Sequence, residues 1–79
     1  MISADERRLL RQACRLTILG LAVERERGKL EKLADRGVSY DDPKFRQAWA
    51  RFNTVALQRT LLEAEHVKLR QKIEDKRRK

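Results

Sequence analysis

A helix-stop signal and a helix-start signal lie close together near the middle of this 79-residue chain. Gly37 suits the left-handed position that ends an α-helix, and Val38 can fold back on Leu33 as the hydrophobic contact that accompanies such an ending. Asp42 offers an N-cap side chain, and Pro43 fits the first position of a following helix, where its missing N–H is not needed. A connection this short predicts two antiparallel helices.

The segments on both sides of this turn have the apolar spacing of amphipathic helices. Ser3 and Glu6 form a capping-box pattern, which predicts a first helix over about 4–36, a turn over 37–42 and a second helix over about 43–77. The prediction is a single all-α domain over 1–79, a coiled-coil-like hairpin. Its paired apolar residues are Leu9, Leu16, Leu19, Val23, Leu30 and Leu33 before the turn, and Phe45, Ala48, Phe52, Val55, Leu62, Leu69 and Ile73 after it.

A lone two-helix unit of this size buries little apolar surface, so it needs a further source of stability. The only cysteine, Cys14, excludes an intrachain disulfide, and Cys14 together with the only histidine, His66, cannot make a zinc site. We therefore expect oligomerisation or a partner to stabilise the hairpin. No metal or other cofactor is expected.

Apolar residues outside the paired positions form a second stripe, predicted to be contiguous across both helices. An exposed apolar patch of this kind normally marks an interface. Self-association into a homodimeric four-helix bundle is the simplest use, docking of a different protein is the second, and scattered surface residues are the structural alternative. Trp49, at the edge of the paired stripe, is a further candidate anchor. The predicted interface residues are Leu10, Cys14, Ile18, Leu21, Trp49, Leu57, Leu61 and Ala64.

The net charge of +8 and the pI near 10.4 favour an acidic partner. The ranges 1–15 and 68–79 meet at the open end of the hairpin and carry eleven bases and four acids, a net charge of +7. This end could neutralise phosphates, or it could be a solvated helix terminus. No aromatic residue is interleaved there, which disfavours stacking on single-stranded bases. The candidate nucleic-acid-binding residues are Arg7, Arg11, Arg15, Lys72, Lys76, Arg77, Arg78 and Lys79.

Residues with reactive side chains are explained by structural roles. His66 falls on the paired stripe near Leu9 or Gln12, where a hydrogen-bonded structural histidine is expected. Asp41 and Asp42 fit turn and cap positions. The sequence therefore predicts no catalytic residue and no enzyme. Without an apolar leader or about 20 consecutive apolar residues, we expect a cytoplasmic protein with no membrane span.

The segment from Lys29 to Ser39, followed by Asp42-Pro43 and a second helix, resembles the sporulation stage-zero-E-type aspartyl-phosphate phosphatases. These are small bacterial helical hairpins that act on phosphorylated response regulators, and the resemblance covers about residues 23–60. It implies the fold and binding of a response regulator. The family's Ser-Gln-Glu-Leu-Asp signature is replaced here by Trp49, Ala50, Arg51, Phe52 and Asn53, so phosphatase activity is not implied.

The hairpin plan is also similar to that of the plasmid RNA-binding protein Rop, at the level of architecture alone. The resulting prediction is a small, non-enzymatic regulatory protein that binds another protein, with a signalling protein or response regulator as the candidate partner. The alternative is a dimeric nucleic-acid-binding protein that uses its basic open end.

Overall fold

The computed structural model describes residues 1–78 and shows an all-α hairpin of two helices. Helix α1 spans Ala4–Asp35 and helix α2 spans Pro43–Arg78. They pack against each other in a rod of 58 × 18 × 14 Å. The predicted fold class is confirmed, and each predicted helix boundary lies within one residue of the observed one. Dimerisation stays a prediction.

The turn forms as its residues predict. Gly37 adopts a φ of 75°, and its N–H donates to the carbonyl of Ala34, while the N–H of Val38 donates to the carbonyl of Leu33, both at 3.0 Å. These two bonds are those of a Schellman ending. The Asp42 carboxylate then accepts the Lys44 N–H at 2.8 Å and caps α2.

The N-terminal cap of α1 differs in part from its prediction. The Ser3 hydroxyl accepts the Glu6 N–H at 3.1 Å, as a capping box requires. The Glu6 carboxylate, however, lies 3.6 Å from Arg77 of α2. Among residues 1–78 only the serine half of the box is therefore formed.

The core is a single layer of side chains along the seam, which we define as the paired apolar stripes of α1 and α2. Its most buried apolar members, Val23, Leu30, Ala48, Leu69 and Ile73, are 4–9% exposed, and all belong to the predicted pairing. The other predicted seam residues are half-buried. No side chain among the described residues falls below 2% exposure, so this core is thin.

A polar pair fixes the register of the two helices. Gln12 is only 6% exposed, and its Oε1 lies 3.0 Å from Nδ1 of half-buried His66. Burial of the amide is tolerated because the imidazole supplies its partner. The structural role predicted for His66, with Gln12 as its neighbour, is confirmed. The same register brings Asp5 of α1 within 3.1 Å of Lys76 and 3.6 Å of Lys72.

Candidate interaction surfaces

Leu19 and Val23 face the seam. Leu21 lies two residues from each of them, about 200° around the helix, and therefore points away from the partner helix. Ile18 and Leu61 instead flank the seam from the same side, because both line one groove with Leu19 and Leu62.

Four of the predicted interface residues form an apolar band at mid-length of the rod. The band passes from the outer side of α1, across the groove, to the outer side of α2. Its members are each 59–65% exposed, although all four side chains are large and apolar. The apolar band consists of Ile18, Leu21, Leu57 and Leu61.

The other predicted interface residues lie elsewhere, so the stripe is not one continuous surface. Leu10, 57% exposed, lines a groove with Leu9 and Ile73 on the opposite side of the seam. Cys14 and Ala64 are exposed on the outer sides of their helices. Trp49 is 44% exposed, and its ring centroid lies 5.9 Å from that of Phe52. The stripe divides because its residues drift around each helix from one side of the seam to the other.

The bases at the open end have different surroundings. Lys76 and Arg77, two of the predicted nucleic-acid ligands, lie 3.1 and 3.6 Å from the carboxylates of Asp5 and Glu6. These two bases join the ends of the helices. Lys76 also holds the pKa of the Asp5 carboxyl below its usual value, chiefly through its hydrogen bond. The remaining candidates are exposed, except Lys79, which lies outside the described residues. They are Arg7, Arg11, Arg15, Lys72 and Arg78.

A larger concentration of bases runs along one side of the rod. From Arg8 to Arg36 in α1, and from Lys44 to Asp75 in α2, residues at alternating spacings of three and four share the side of the seam that holds Ile18 and Leu61. Eight of the bases on this side line its grooves. We call it the basic face. Its eleven bases are all exposed: Arg8, Arg11, Arg15, Arg25, Lys29, Lys32, Arg36, Lys44, Arg51, Lys68 and Lys72.

Acids are scarce on this side. The basic face contains two, Glu65 and Asp75, so its net charge is +9. Within residues 1–78, only Lys29 and Lys72 of its eleven bases lie within 4 Å of a carboxylate. The charges of the other nine bases are therefore compensated by solvent alone.

The side across the seam is the balanced face, and its net charge is −1. It carries five acids and four bases: Glu6, Glu24, Glu31, Glu63 and Glu74 with Arg27, Arg46, Arg70 and Arg77. Three of those bases lie within 4 Å of a carboxylate: Arg27 contacts Glu24, Arg46 contacts Asp41 and Arg77 contacts Glu6.

The predicted concentration of bases at the open end therefore describes only part of the charge distribution. Most of the charge asymmetry lies across the rod, between its two faces, and not along its length. Bases near the turn, such as Lys32 and Arg51, were missed for that reason. The signal that could have found them is the recurrence of bases every three or four residues along α1.

The described residues provide no cluster of three or more His, Cys, Asp or Glu that could hold a metal ion. Asp42 caps α2, and the Asp41 carboxylate lies 3.9 Å from Arg46. The residues at the phosphatase signature positions are exposed, apart from half-buried Phe52. Neither helix has, within the described residues, a stretch long and apolar enough to cross a membrane.

Comparison with known proteins gives no match to any family model, curated protein or solved structure. The resemblance to the sporulation phosphatases therefore stays a prediction from the residues. Functional inference rests on the surfaces themselves.

Proposed function

We propose that this chain is a non-enzymatic regulatory protein that acts by binding another protein through the apolar band. The observation that carries this proposal is the exposure of Ile18, Leu21, Leu57 and Leu61, which are 59–65% exposed at one level of the rod. Large apolar side chains grouped in this way cost free energy in water unless a partner covers them.

The surroundings of the band also fit a protein interface. Half-buried Leu19 and Leu62 line its groove, and Arg15, Gln58 and Glu65 complete the lining. An apolar centre with a polar rim is the usual anatomy of a specific interface. A partner that covers the groove would also complete the burial of the core, which is thin in the isolated hairpin.

The first occupant we propose is a second copy of the chain, which would build the four-helix bundle predicted from the sequence. Two copies joined band to band turn their basic faces toward each other, so added salt should strengthen the dimer by screening repulsion. An acidic signalling partner, such as a response regulator, should show the opposite salt dependence. The sign of the salt effect therefore distinguishes the two occupants.

The band is tested by comparing Leu61→Glu with Val67→Glu. Both residues lie on α2 and have similar exposure, 59% and 62%, but Val67 lies on the balanced face. Sedimentation velocity at micromolar concentration should give a dimer for the wild type and Val67→Glu, and a monomer for Leu61→Glu. A wild-type monomer that also fails to bind any response regulator, or equal effects of the two variants, would contradict the proposal.

The non-enzymatic part of the proposal has its own test. Arg51 and Asn53 occupy signature positions where the phosphatases carry two carboxylates, so the purified protein should not accelerate the loss of phosphate from a phosphorylated response regulator. Acceleration that disappears in Arg51→Ala or Asn53→Ala would show that the chain is an enzyme.

A further inference from the structure

The basic face is divided into two patches by the apolar band. The turn-end patch joins both helices beside the turn, and five of its six bases line a single groove. No acid lines that groove. The turn-end patch consists of Arg25, Lys29, Lys32, Arg36, Lys44 and Arg51.

The open-end patch lies on the same face, beyond the band. Arg15 lines the groove that contains the band, and Lys68 and Lys72 line the next groove along α2. The open-end patch consists of Arg8, Arg11, Arg15, Lys68 and Lys72.

This arrangement costs the free hairpin stability. Like charges three or four residues apart on a helix repel each other, and the two helices add repulsion across the groove. On the balanced face three of the four bases are paired with acids. A chain that pairs its charges on one face and leaves them unbalanced on the other has a surface suited to a polyanion.

We propose that the basic face binds the phosphate backbones of a duplex nucleic acid. On the basic face, the stretch without bases between the patches is about 15 Å long on α1, from Arg15 to Arg25, and about 25 Å on α2, from Arg51 to Lys68. The major groove of B-DNA is about 12 Å wide. The two patches are far enough apart to contact the backbones on either side of the groove. Because the apolar band lies between the patches, a duplex and a second copy of the chain compete for this face.

The chemistry of the face favours a duplex over a single strand. Single-strand binders stack bases on aromatic side chains, whereas the basic face has none; Trp49 belongs to the balanced face and Tyr40 to the turn. A straight rod of 58 Å instead fits a partner that is itself stiff and regularly charged. Binding by phosphate contacts depends weakly on sequence and steeply on salt.

The test uses two triple variants of the full chain with equal net charge. Arg25→Gln/Lys32→Gln/Arg51→Gln neutralises three bases of the turn-end patch, and its control neutralises three bases of the balanced face: Arg27, Arg46 and Arg70. Binding of a labelled random-sequence DNA duplex is followed by fluorescence anisotropy from about 50 to 200 mM salt. Circular dichroism checks that all three proteins remain helical.

The wild type and the control should share a steep dependence of log K on log[salt]. The turn-end variant should lose about 0.9 from that slope per phosphate contact, which shrinks the affinity change over this salt range by about 40-fold for three contacts. Equal loss in both variants, or wild-type binding to phosphatidylserine vesicles but not to duplex, would overturn the proposal. The turn-end variant keeps the apolar band unchanged and should still form the dimer at micromolar concentration, so the two proposals can fail separately.

Discussion

The basic face and the balanced face flank the same seam and have nearly the same length, but they differ in how their charges are compensated. On the balanced face, Arg27 and Arg77 each lie within 4 Å of a glutamate. On the basic face, nine of eleven bases have no such contact among the described residues. One face thus stabilises the hairpin, and the other retains repulsion that a bound anion would relieve. Net charge alone conceals this difference.

Substitutions in the seam, which separates the two faces, are expected to have the largest effect on the free energy of unfolding. His66→Leu leaves the buried amide of Gln12 without its partner, so the free energy of unfolding should fall by about 1–3 kcal/mol. The double variant Gln12→Leu/His66→Leu removes both polar groups and should recover most of that loss. Urea unfolding followed by circular dichroism measures the cycle. If the double variant loses as much free energy of unfolding as Gln12→Leu and His66→Leu lose in sum, the pair does not act as a unit.

Glu26 is expected to show the next largest effect. It lies in the seam with its side chain 14% exposed; one carboxylate oxygen contacts Lys29 at 3.2 Å, and the other is buried without a hydrogen-bond partner in residues 1–78. Glu26→Leu should raise the free energy of unfolding by about 1–2 kcal/mol. Glu24→Leu on the balanced face, where the side chain is 61% exposed and paired with Arg27, should change it by less than about 0.5 kcal/mol. Destabilisation by Glu26→Leu would mean that the buried acid is needed for packing.

The sequence predicted the turn and the seam because their signals are local or periodic. Gly37, Asp42 and Pro43 act within a few residues, and the apolar stripes repeat over each helix. The buried amide of Gln12 was not assigned to the core, because its burial depends on a histidine 54 positions away. The Glu6 carboxylate contacts Arg77 and not the N–H of Ser3 that was predicted, and this contact likewise depends on the facing helix.

The candidate surfaces were less predictable than the fold. All four residues of the apolar band were predicted as interface residues, but Leu10 was grouped with them although it lies across the seam. The spacing of bases along α1 was visible in the sequence. The sequence does not show that Lys44 and Arg51 of α2 lie on the same side of the seam as Lys32. Only the packing of the two helices reveals that these bases form one face.

Charge reversal should have opposite effects on the two faces. Arg51→Glu introduces an acid beside Lys29 and Lys32 in one groove, so the free hairpin should gain about 0.5 kcal/mol. Arg27→Glu removes the pair with Glu24 and should cost a similar amount. The two variants have the same net charge and are compared by thermal melting at low salt. Shifts of the same sign would remove the distinction between the faces.

The smallest expected effect is a pH dependence at the open end. The hydrogen bond from Lys76 keeps the pKa of the Asp5 carboxyl below its usual value. An acid whose pKa is lower in the folded state stabilises the fold above its unfolded-state pKa, about 3.9, and this contribution disappears as the pH falls through the folded-state pKa. Melting temperature should therefore decline as the pH falls below about 4, and less so in Asp5→Asn. An identical decline in Asp5→Asn would assign the effect to other acids.

The most direct test of the difference between the two faces is the nuclear magnetic resonance footprint of a DNA duplex on the isotope-labelled chain. Side-chain and backbone signals of Arg25, Lys32 and Arg51 should shift during the titration, while those of Arg27 and Arg70 stay in place. Shifts confined to the open end, in residues 1–15 and 68–78 on both faces alike, would contradict the account and restore the basic end as the binding site.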